Sequence, residues 1–101
     1  MATDDQIIFD LEQFWENSGF FGRIRSGIFD EDCAERVIDF LTNLQLTGTH
    51  INMRIVSLIW YVPLFLEWNR ERVVNAGGSD AEYRAAATRI QSAIQSILGL
   101  P

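Results

Sequence analysis

Ile55-Val56-Ser57-Leu58-Ile59-Trp60-Tyr61-Val62-Pro63-Leu64-Phe65-Leu66 is the stretch that decides the fold. At 100° per residue its apolar side chains fall on every side, the pattern of a helix covered all round. Twelve residues, interrupted by Ser57 and Pro63, are too few to cross a bilayer. The run therefore reads as the middle of a central helix reaching from about His50 to Asn75. Pro63 lacks a backbone donor and its ring clashes with the preceding turn, which predicts a kink there or a split into two helices.

Upstream, Thr3 and Gln6 form a capping-box pattern that opens a first helix over about Thr3 to Asn17. Ile7, Leu11 and Phe14 share its inner face, widened by Ile8 and Trp15. Asn17-Ser18-Gly19 supplies a stop. Residues 18–29 are punctuated by Gly19, Gly22 and Gly27. They read as an irregular loop with room for one helical turn, pinned to the core by Phe20, Phe21 and Phe29; a short hairpin is the weaker alternative. Asp30 caps a second helix to about Gln45, with Cys33, Val37, Phe40, Leu41 and Leu44 inward. Thr47-Gly48-Thr49 is a short connector.

Downstream, Gly77-Gly78 ends the central segment, and Ser79 with Glu82 forms a second capping box. Tyr83, Ala87, Ile90, Ile94 and Ile97 follow at spacings of 4, 3, 4 and 3, a seam of core positions. The sequence thus predicts an all-α fold, a compact irregular four-helix bundle with a kinked central third helix, in one helical domain over 1–101. A hydrophobic share of 48% over 101 residues is enough for one core without staples.

The charge is lopsided. The net charge is −6, and every basic residue is Arg. Residues 1–45 carry ten acids and three Arg, a net of −7, and the remainder carries a net of +1. An acidic half repels phosphate, so nucleic acid and anionic membrane are disfavoured as partners and a basic protein is favoured. Cys33 is the single cysteine, so no internal disulfide is possible. With an acidic, signal-free start at Met1-Ala2-Thr3-Asp4-Asp5, this fits a reducing compartment, and the expectation is a cytoplasmic protein.

The residues for catalysis are sparse. One Cys and one His, far apart, do not make a zinc site, and His50 has no Glu three residues earlier as a di-iron bundle needs. Cys33 lies on an apolar stripe between acidic flanks, which favours a packed thiol over a thiolate. Gly77-Gly78-Ser79 precedes a helix start, but Asp80 and Glu82 already occupy its positive end. Arg23 and Arg25 could grip an anion, yet the acidic helices offer them partners. No metal, no cofactor and no enzyme activity is expected.

Two faces are candidates for binding. On the first helix Asp5, Phe9, Glu12 and Glu16 share one side, and Phe9 is either an aromatic anchor ringed by carboxylates or a side chain covered by residues 18–29. The second helix adds Glu31, Glu35 and Asp39. If the two rows adjoin, they make an acidic surface with fast, salt-sensitive association. On the third helix Arg54, Tyr61, Trp68 and Arg72 fall on one side, the residue types that dominate binding hot spots, and suggest a homodimer seam.

In size and charge the chain is broadly similar to small acidic helical proteins that neutralise bacterial toxins. The likeness covers composition only and carries no residue over. The expected function is a non-catalytic protein-interaction module, of immunity or antitoxin type, binding a basic partner through its acidic face. The alternatives are a homodimeric assembly protein using the third helix, and a ligand-binding domain with an aromatic pocket of Trp15, Phe21, Trp60 and Phe65.

Overall fold

The computed structural model describes residues 3–46 and 50–99. The Thr47-Gly48-Thr49 connector and the closing Leu100-Pro101 lie outside the described residues. Among the described residues there are six helices and no strand. Four are long: α1 (Asp4–Trp15), α3 (Glu31–Asn43), α5 (Val62–Asn75) and α6 (Asp80–Leu98). Two are short: α2 (Phe20–Arg25) and α4 (Met53–Ile59). The all-α, irregular four-helix architecture stands, with the short helices as its irregularity.

Local chemistry places the helix starts. The Thr3 hydroxyl accepts the Gln6 backbone N–H at 3.2 Å, and the Ser79 hydroxyl accepts that of Glu82 at 3.2 Å. The Asp30 carboxylate accepts the Cys33 N–H at 3.1 Å, which also holds its carboxyl below the usual range. Asn52 does the same for α4, accepting from Arg54 N at 2.8 Å.

The central helix of the sequence reading is divided, as Pro63 foretold. The ring sits in the first turn of α5, where a missing N–H costs nothing. A continuous helix would need that N–H for the Ile59 carbonyl. Freed carbonyls at the end of α4 require other donors, and Trp15 supplies one, its indole N–H donating to the Leu58 carbonyl at 2.9 Å. The break is thus fastened to α1.

Residues 18–29 turn out tighter than a loop. Gly19 caps α2, and Gly22 lets the α2 backbone lie against the end of α1. A Cβ at Gly22 would collide with the Glu16 carbonyl. Glycine costs helix propensity but here permits an approach no other residue allows. Phe20, Phe21 and Ile24 are consequently driven into the core.

The core joins all six helices. Ile24, Ile55, Ile59, Val73 and Ile90 are almost wholly buried. The most extensive contact sets α3 against α6; α6 also packs on α5, α1 on α4, and α2 bridges α1 to α5. Tyr83 crosses from α6 to donate its hydroxyl to the Leu66 carbonyl at 2.6 Å, and burial pushes that phenol up to about 12. The molecule is flattened, 43 × 29 × 19 Å.

Candidate functional site

The outward side of α1 is fixed by what its other sides touch. Ile7 and Leu11 enter the core, and Phe14 meets Phe40 of α3 at 5.5 Å between ring centroids. Glu12 turns the other way, toward α4, and accepts from Arg54 at 2.7 Å. Asp5, Phe9 and Glu16 remain outward, and Phe9 is 56% exposed. Of the two readings of Phe9, residues 18–29 do not cover it: α2 packs on the end of α1 with Phe20, Phe21 and Ile24 turned into the core, and Phe9 stays exposed.

Glu35 leans toward α6, where Arg89 donates to both carboxylate oxygens at 2.5 and 3.3 Å. Glu31 and Asp39 stay exposed on α3. The side of α3 that faces α1 carries Arg36 and Phe40, which share a cleft with Ile7 and Asp10. Of the acidic residues expected on one surface, Glu12 and Glu35 are thus engaged by Arg54 and Arg89, and Asp39 lines the same cleft as Asp10.

The face of α5 is the larger apolar exposure. Trp60 is 54%, Leu64 44% and Trp68 67% exposed. Leu64 and Trp68, four residues apart, share one side of α5, and Trp60, at the break before it, is joined to them through Tyr61. Tyr61 is half-buried beside it, with ring centroids 5.7 Å from Trp60 and 5.9 Å from Trp68. Patches of such residues, Trp and Tyr with flanking Arg, are the usual composition of contact centres.

The charges beside this row are sorted by side. Toward α2, Arg72 donates to the Arg25 carbonyl at 2.7 Å, and the Arg25 guanidinium lies 6.0 Å from the centre of the Phe65 ring. Toward α6 stands Glu67; Arg70 on that side is held by Asp80 at 2.6 Å, and Arg84 by the same carboxylate at 3.3 Å. These contacts raise the Arg70 guanidinium and lower the Asp80 carboxyl. Of the four residues grouped on the third helix from sequence, Tyr61, Trp68 and Arg72 are brought together. Arg54 is not, since the split at Trp60–Tyr61 turns α4 toward α1. Trp60 and Leu64 were missed as members of this row; their four-residue spacing was the available signal.

The aromatic pocket expected from Trp15, Phe21, Trp60 and Phe65 is filled. Trp15 packs 4.4 Å from Phe21 and 4.9 Å from Phe65, ring against ring, while Trp60 stands outside. An open groove of about 760 Å³ lies between the ends of α3 and α6, lined by Leu41, Leu44, Leu46, Ala93 and Ile97 among others. Cys33 is half-buried against the core. Among the described residues no group of three or more His, Cys, Asp or Glu is arranged to hold a metal ion, and no helix is long and apolar enough to cross a membrane.

No family model matches the chain, and no curated protein or solved structure was found to match it.

Proposed function

We propose that the chain is a non-catalytic protein-interaction module that binds a basic protein partner at the outward row of α1. Phe9 is the anchor, and Asp5 and Glu16 steer. The supporting observation is the exposed phenyl ring of Phe9, standing among carboxylates on a helix whose opposite face is locked into the core. Masking the basic active site of a partner, as an inhibitor does, is one use of such a row.

The test begins with a photo-crosslinking phenylalanine analogue at position 9 in the native cell. The expected adduct is with a positively charged protein. With that partner purified, Phe9→Ala weakens binding at least about tenfold, and added salt slows association. Affinity unchanged in a variant combining Phe9→Ala, Asp5→Arg and Glu16→Arg removes this reading.

A second reading belongs to α5. Trp60, Leu64 and Trp68 form an exposed row that the chain itself leaves uncovered, and we propose that it meets a second copy. Sedimentation equilibrium of the full chain checks this; a strict monomer up to millimolar concentration counts against it.

A further inference from the structure

We propose that two copies pair α5 against α5 in parallel, an inference that rests on self-association of this face. The charges on either side of the Trp60–Leu64–Trp68 row carry it. Glu67 stands on the α6 side, and Arg72 with Arg25 on the α2 side. A contact between identical copies is isologous, so the same patch meets itself through a two-fold axis. Two arrangements are available to a pair of facing helices. An antiparallel two-fold sets like side against like, Glu against Glu and Arg against Arg. A parallel two-fold exchanges the sides, so the Glu67 side of each copy meets the Arg72 side of the other.

The spacing agrees. With Leu64 and Trp68 as neighbouring seam positions, Glu67 and Arg72 occupy the two flanking positions that pair between helices of a parallel coil. Glu67 is not in an ion pair among the described residues, and Arg72 spends one nitrogen on a carbonyl, so both are available. The two cations nearest to Glu67, Arg70 and Arg84, are held by Asp80. The flanks of this face complement one another, while Glu71 falls at the next seam position and meets its own copy.

The size of the patch sets the strength. Two largely exposed Trp rings with Leu64 and part of Tyr61 offer roughly 400 Å² of apolar surface. A stable complex buries about 800 Å² on each side. Pairing is therefore weak and concentration-dependent.

The full chain, studied by sedimentation equilibrium, gives the decisive comparison. Trp68→Ala, an exposed position, abolishes the dimer with the helical circular dichroism unchanged. Glu67→Arg and Arg72→Glu each weaken it about tenfold, and the double exchange restores it to within about threefold, because exchanged sides still meet as opposites. In a Cys33→Ala background, Asn75→Cys gives a linked dimer on mild oxidation, since a parallel pair brings each residue opposite itself. A monomer at every concentration overturns self-association and the pairing with it. A dimer lost in Trp68→Ala, but indifferent to the double exchange and unlinked through position 75, overturns only the parallel arrangement.

Discussion

A single hydroxyl ties α6 to α5. Tyr83 is buried, and its O–H donates to the Leu66 carbonyl. Its phenol holds its proton up to about 12 in the folded chain, against 10.0 ordinarily. Below pH 10 both states keep the proton, and this contribution is fully present. Between pH 10 and about 12 the unfolded phenol ionises while the folded one does not, so stability falls by an amount on the order of 2 kcal/mol. Tyr83→Phe should cost about 1 kcal/mol at pH 7 and flatten that alkaline loss, which denaturant titrations at pH 7 and pH 11 would show. Gly22 is the second position where one atom decides the outcome. Gly22→Ala drives a methyl into the Glu16 carbonyl and should destabilise by about 1–3 kcal/mol, lowering Tm by roughly 4–8 °C per kcal/mol. An unchanged Tm would mean that the α1–α2 corner yields freely.

At the scale of elements, the division of α4 from α5 is the feature most worth testing. Trp15 packs its ring against Phe21 and Phe65 and donates its indole N–H to Leu58. Trp15→Phe keeps an aromatic ring and loses that donor. The expected cost is about 1 kcal/mol, with hydrogen exchange accelerated at the α4–α5 junction more than in α6. Uniform acceleration instead would show that the ring's packing, not its hydrogen bond, fastens the break. Pro63 made the division legible beforehand, because its missing donor is a local property. The capping pairs Thr3–Gln6, Asp30–Cys33 and Ser79–Glu82 were legible for the same reason. The path of residues 18–29 was not, because Gly22 serves a contact between two backbones that no periodicity records. The same limit applied to the candidate site. Glu12 and Glu35 lie on outward arcs of their helices, yet their cations, Arg54 and Arg89, come from 42 and 54 residues away. Phe9's exposure likewise hung on where α2 packs.

For the whole molecule the charge inventory is the governing quantity. Among the described residues, five of the eight Arg are in ion pairs, and Arg25 and Arg72 bind backbone carbonyls. In the ion pairs among the described residues the carboxylates are Glu12, Asp30, Glu35 and Asp80, out of fourteen in the sequence. Folding therefore engages five of the eight Arg in ion pairs and leaves most of the carboxylates without a cation. That surplus repels itself in the folded state and attracts a basic partner. The two effects respond oppositely to salt, which separates them. The Debye length shrinks from about 30 Å at 0.01 M to about 8 Å at 0.15 M, so repulsion across this flattened molecule is largely screened over that range. Tm of the isolated chain should therefore rise with sodium chloride from 10 to 150 mM, since the exposed ion pairs it also weakens contribute little each. The association rate with a basic partner should fall over the same range. A Tm that falls with salt would mean that the five ion pairs outweigh the unpaired carboxylates, and the surplus negative charge would then lose its place as the feature that selects the partner.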